Sequence, residues 1–134
     1  MASISLAQTD LKPIAQRYGV FLLILFGSQA TGKTHPHSDA DIAFLSERRF
    51  SPRETAEFAF SLSQELRTPV VDPIDLRDAP PLLLRNIASH SRLLYEREPQ
   101  LFARFNIYAL KRYMEAHRLL ALRQASLGAF LNHP

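Results

Sequence analysis

Hydrophobic positions along this chain switch repeatedly between a helical period and the runs expected of strands. Leu11, Ile14, Ala15 and Tyr18 recur at helical spacing behind the capping candidate Asp10, and Gly19 stands where that helix would stop. VFLLILF, Val20 to Phe26, is continuously apolar, as a strand buried on both faces should be. DADIAFL, Asp39 to Leu45, reads as a second strand with carboxylates at its start. Ser51-Pro52-Arg53-Glu54 forms a capping box with proline at the first helical position; Thr55, Phe58, Ala59, Leu62 and Leu66 then trace one helical face, ending near Thr68. VVDPIDL, Val70 to Leu76, is a third strand whose Pro73 cannot donate to a ladder, which predicts an edge or a bulge. Asp78 to Ser89 predicts a helix with Pro80 and Pro81 in its first turn, SRLLYE a short strand, and Pro99 to about Leu122 a long helix. In the last of these, Phe102, Phe105, Ala109, Tyr113, Ala116 and Leu120 form one stripe, the pattern of a helix laid on a core. The predicted order is αββαβα(β)α.

Composition narrows the picture. With 134 residues, 46% apolar and 22% charged, the chain carries enough apolar side chains for one globular core and no sign of a linker or repeat. Cysteine is absent, which removes disulfides, thiolate metal sites and thiol nucleophiles, and fits a reducing compartment. The first residues, MASISLAQTDLK, lack a basic region followed by an apolar core, and Val20 to Phe26 is too short to span a bilayer, so a soluble, cytoplasmic protein with no membrane association is expected. The 16 Lys and Arg barely exceed the 13 Asp and Glu and are dispersed, so direct nucleic-acid binding is not expected.

Candidate chemistry concentrates between Phe26 and Phe44, where two signatures for a nucleoside triphosphate overlap. Gly27 to Thr34 reads G-x-x-x-x-G-K-T, the P-loop pattern; Gly27 to Asp41 reads Gly-Ser, ten residues, Asp-x-Asp. A P-loop needs a helix straight after its lysine, whose N-terminal amides hold the phosphates. Here Thr34 is followed by His-Pro-His-Ser-Asp and then a strand, and the intervening loop is too short for a βαβ crossover. The carboxylate reading fits better. Asp39 and Asp41 stand two apart on a strand, so both project from one face and can share divalent cations. Two such cations held by oxygen ligands, about 3.5–4 Å apart, orient a triphosphate for in-line displacement. Gly27 and Ser28 would let the backbone approach the phosphates. His35 and His37 flank Pro36 in the same loop without further clustered ligands, and are read as solvent-facing loop residues rather than a zinc site.

FGSQATG, SDADIAFL, VVDPIDL and LRNIASHSRLLYERE together resemble the minimal nucleotidyltransferases of the DNA polymerase β superfamily, specifically the MNT-type antitoxins that pair with HEPN-domain toxins. The resemblance runs in order from about Val20 to Glu98. It implies a polymerase β-type α/β fold, a mixed sheet with helices packed mainly on one face. It also implies that Gly27 and Ser28 contact the nucleotide, and that Asp39 and Asp41 bind magnesium. The third family carboxylate is matched by Asp72 in Val71-Asp72-Pro73-Ile74, with Asp75 as the alternative because Pro73 departs from the usual strand residue. Three apart, Asp72 and Asp75 cannot both face the metals from one regular strand. Thr31 stands at a position often basic in similar proteins, which leaves Lys33 as the nearest cation for the phosphates.

The expectation is therefore a nucleotidyltransferase domain over residues 1–98 and a C-terminal helical extension over 99–134, packed on the same domain and, through its apolar LLALRQASLGAFL segment, on a partner. By resemblance the reaction is transfer of AMP from ATP, with two Mg²⁺ ions, to a tyrosine hydroxyl of a HEPN-type ribonuclease toxin, within a hetero-oligomer. Two alternatives stand beside it: neutralisation by binding alone, and transfer to a small molecule such as an antibiotic.

Overall fold

In the computed structural model, residues 10–27 and 40–132 are described; Ser28, Thr31, Lys33, Thr34, His35, His37 and Asp39 lie outside them. The elements are α1 (Lys12–Tyr18), β1 (Val20–Phe26), β2 (Ala40–Ser46), α2 (Pro52–Leu66), β3 (Val71–Asp75), a 3₁₀ turn (Leu76–Asp78), α3 (Pro81–Ser89), β4 (Ser91–Glu96) and α4 (Leu101–Leu131). Among the described residues the predicted order is recovered. The four strands form one mixed sheet in the order β3-β2-β1-β4, with β1 antiparallel to both β2 and β4 and β2 parallel to β3. Pro73 sits on the edge strand, where its missing N–H costs no ladder bond.

The apolar run of β1 makes it a central strand with side chains sealed on both faces, and this corrects the expectation of helices mainly on one face. Leu23, Leu25, Ile42 and Phe44 pack beneath α1 and α2, with Ile14, Ala15, Phe58, Leu62 and Leu66. Leu22, Ile24, Phe26 and Ala43 pack on the opposite face beneath α3 and α4, with Leu84, Ile87, Phe105 and Ala109. A strand that is apolar at every position has no water-facing side to leave bare.

Local chemistry sets most element ends. Gly19 closes α1 in the left-handed region, φ 66°. Asp10 precedes the helix by two residues, and its carboxylate accepts from the Lys12 N–H at 3.0 Å. Ser51 and Glu54 form the predicted capping box: the Ser51 hydroxyl accepts from the Glu54 N–H at 3.1 Å and the Glu54 carboxylate accepts from the Ser51 N–H at 3.2 Å. Two boundaries differ from expectation. The helix placed from Asp78 begins at Pro81, because Pro80 and Pro81 force extended backbone before them; Asp75 instead caps a 3₁₀ turn by accepting from Arg77 N–H at 3.0 Å. The last helix runs to Leu131 rather than Leu122, since nothing beyond Leu122 except Gly128 opposes helix, and one glycine costs only about 1 kcal/mol.

Arg48 makes two hydrogen bonds to Glu54. With the Ser51 amide as a second cause, this holds the Glu54 carboxyl down at about 2 instead of 4.5. A depressed folded-state pKa stabilises at pH above the unfolded value and loses its effect as pH falls through the folded one. The melting temperature of the native chain is therefore expected to exceed that of Glu54→Gln most clearly above pH 4.5, the gap closing as pH falls toward about 2. A gap independent of pH across that window in paired thermal melts would show that the ionised pair contributes nothing.

Candidate active site

The end of β1 and the start of β2 bring together two of the residues expected to handle a nucleotide, Gly27 and Asp41. β1 terminates at Phe26, and Gly27 turns the chain out of the strand with φ 76°, a conformation costly for any residue with a Cβ. Phe26 is the register partner of Asp41. A Cβ built on Gly27 would lie 2.3 Å from the Asp41 Oδ2, so glycine is required here twice, for its backbone angle and for the carboxylate resting against it. The sequence pattern assigned Gly27 to phosphate approach alone. Its packing against Asp41 was the part missed, and the available signal was a glycine directly after a buried strand with an acidic strand to follow.

Asp41 is also the register partner of Asp72 on β3. Adjacent strands lie about 4.8 Å apart, and side chains at paired positions share a face. That face is the one that carries Ala43, Leu45 and Ile74 toward α3 and α4. Asp41 is partly buried beside Gly27, whereas Asp72, on the edge strand, is exposed. Asp75 goes elsewhere. It pairs in register with Phe44, whose ring belongs to the opposite core, and its carboxylate is occupied by the Arg77 amide and, at 3.8 Å, by the Arg77 guanidinium. Strand alternation thus separates the two candidates for a third carboxylate, setting Asp72 with Asp41 and Asp75 apart from both. Ser28, Lys33 and Asp39 lie outside the described residues, and among the described ones no three His, Asp or Glu side chains converge as a metal site.

The same geometry rules out the P-loop context. β2, the strand that follows the G-x-x-x-x-G-K-T stretch, returns antiparallel beside β1, Leu23 opposite Phe44 and Leu25 opposite Ile42. A P-loop connection instead feeds a helix that crosses to a parallel strand.

A mixed sheet with a Gly-turned strand end facing paired carboxylates is the architecture of a nucleotidyl-transferring domain. Residues 9–100 match the polymerase beta nucleotidyltransferase family, and the chain belongs to it. It is 31% identical over 99 residues to the protein adenylyltransferase MntA of Shewanella oneidensis, an alignment covering 72% of this chain and 70% of that one. A toxin–antitoxin crystal structure with AMP-PNP has a chain that superposes with a TM-score of 0.68 at 27% identity, covering 89% of this chain and 94% of its own. A second, of the tri-AMPylated Shewanella oneidensis HEPN toxin in complex with its MNT antitoxin, superposes with a TM-score of 0.61 at 25% identity, covering 89% and 91%.

Proposed function

We propose that this chain is an antitoxin that transfers AMP from ATP to a tyrosine hydroxyl of a HEPN-type ribonuclease toxin in the cytoplasm and silences it by that modification. The observation that carries the reading is the Asp41–Asp72 register pair beside Gly27, in a chain similar to an adenylyltransferase and to antitoxins solved with an AMPylated toxin and with AMP-PNP.

Asp41 and Asp72, register partners on one face, would hold Mg²⁺ together with Asp39, which lies outside the described residues, because carboxylate oxygens are the donors that hard cations take. When bound, such ions neutralise the triphosphate and stabilise the charge that develops as the pyrophosphate departs. The protein's own groups do the rest. Gly27 leaves backbone room for the phosphates, and Ser28 and Lys33, outside the described residues, would add a hydroxyl and a cation. Asp72, exposed on the edge strand, would also take the proton of the attacking hydroxyl. The hydroxyl oxygen bonds to the α-phosphorus, and the bond from that phosphorus to the pyrophosphate oxygen breaks.

The far half of α4 suits a macromolecular acceptor. Phe105 and Ala109 anchor its first turns to the core, but the apolar stripe continues past the domain with Leu120 and Leu127 more than half exposed (52% and 58%) and Phe130 at 75%. This stripe is where the toxin would dock, forming the hetero-oligomer.

Catalysis and binding differ in stoichiometry. A substoichiometric amount of this protein with ATP and Mg²⁺ is expected to silence an excess of its toxin's ribonuclease activity and add the mass of one or more AMP groups. The double variant Leu120→Glu/Leu127→Glu should slow silencing tenfold or more without lowering the melting temperature. Toxin silenced only at equal stoichiometry and unchanged in mass would replace the enzyme with a binder.

A further inference from the structure

At the end of the sheet opposite Gly27, the surface carries an open pocket of about 390 Å³, within the range of roughly 300–1,000 Å³ that small-molecule sites occupy. Its walls come from β1, β2, the 3₁₀ turn and α4. A β-bulge builds one of them: Val20 pairs with Ser46 but Leu22 with Leu45, so β1 spends two residues on one step of β2. The extra residue, Phe21, is thereby brought to the same side as Leu22, and both line the pocket. Arg97 lies over the Phe21 ring at 5.3 Å and pairs with Glu47, which fixes the ring from outside. Leu76, Leu101 and Phe105 complete the apolar lining.

The polar lining is cationic. Arg77 is committed: its guanidinium donates to the Ser46 carbonyl and lies 3.8 Å from Asp75. Arg104, one turn into α4, has no ion pair or side-chain hydrogen bond among the described residues, and the phenol of Tyr108 stands one turn further along the same wall. The first turn of α4 carries no acidic side chain, and the Glu96 carboxylate beside it accepts from the Phe102 N–H at 3.0 Å. A guanidinium without an ion pair among the described residues, at the rim of an apolar pocket, suits one negative charge on an apolar body.

We propose that this pocket is a binding site for an amphipathic monocarboxylate, whose hydrocarbon body lies between Phe21, Leu22, Leu45 and Phe105 and whose carboxylate pairs with Arg104. Some five strand residues, about 16 Å at 3.3 Å each, separate Leu22 from Gly27, so the pocket is distinct from the proposed nucleotide site.

Octanoate, octanol and acetate, titrated into the ¹⁵N-labelled full chain, test the site. Octanoate is expected to shift saturably the amides of Phe21, Leu45, Leu76, Arg104 and Phe105, with octanol and acetate each at least tenfold weaker. Arg104→Gln should weaken octanoate tenfold or more and leave octanol unchanged, whereas Arg104→Lys should keep most of the affinity. Arg104 is exposed, so equal melting temperatures for native and variant chains will separate lost binding from lost fold. Octanoate bound no better than octanol, shifts mapping away from these residues, or full affinity in Arg104→Gln would each overturn the proposal.

Discussion

Asp41→Asn is expected to lower AMP transfer by about a hundred- to a thousandfold, the scale on which losing one preorganised electrostatic group acts, with the melting temperature little changed. An amide preserves the shape of the side chain lying against Gly27 but removes the charge that the proposed cation ligand needs. Asp72→Asn is expected to act in the same direction, since under the proposed mechanism it loses both a ligand and the acceptor of the hydroxyl proton. The informative contrast is Asp75→Asn. Asp75 stands on the other face of β3 with its carboxylate capping the 3₁₀ turn, and asparagine caps about as well as aspartate, so the exchange should change stability little and leave transfer within tenfold of native. Radiolabelled AMP incorporation into the toxin, measured alongside thermal melts, separates the three. Native transfer by a folded Asp41→Asn would remove the carboxylate pair as the reaction centre, and a collapse of transfer in Asp75→Asn with Asp72→Asn active would move the third carboxylate to the opposite face.

That contrast also marks how far the sequence could be read. Asp72 and Asp75 remained alternatives because a strand's alternation is fixed internally, while its phase relative to a neighbour depends on a pairing between residues some thirty positions apart. Only the register of Asp41 against Asp72 and of Phe44 against Asp75 decides between them. Features written in adjacent residues were legible: the Ser51–Glu54 box, the left-handed Gly19 and the edge placement of Pro73. The two-sided core was half legible. The unbroken apolar run of β1 announced cover on both faces, yet which helices supply it depends on long-range packing, α1 and α2 on one side and α3 and α4 on the other. The Phe21 bulge was not legible, because Val20-Phe21-Leu22 is apolar throughout and a slip of one residue leaves no break in the pattern. Family resemblance added what pattern could not, the nature of the acceptor.

Gly27→Ala is expected to damage activity severely while leaving most of the fold in place. At φ 76° an alanine pays roughly 1–2 kcal/mol for left-handed backbone. For a domain of this size that lowers the melting temperature by somewhere near 5 °C. The larger effect is local. The new Cβ would meet the Asp41 Oδ2 at 2.3 Å, and because that side chain lies where β1 and β2 pair, the carboxylate must rotate away or the turn must open. Either movement displaces the proposed metal ligand or the backbone proposed to face the phosphates by about an ångström, and misplacement on that scale costs on the order of a hundredfold in rate. The expected result is therefore transfer reduced a hundredfold or more in a chain that still melts cooperatively. Asp41→Asn should add little to the loss when the two are combined, because both act on the same carboxylate. Transfer near the native rate in Gly27→Ala, or losses that multiply in the double variant, would show that the contact between Gly27 and Asp41 does not set the geometry of the reaction.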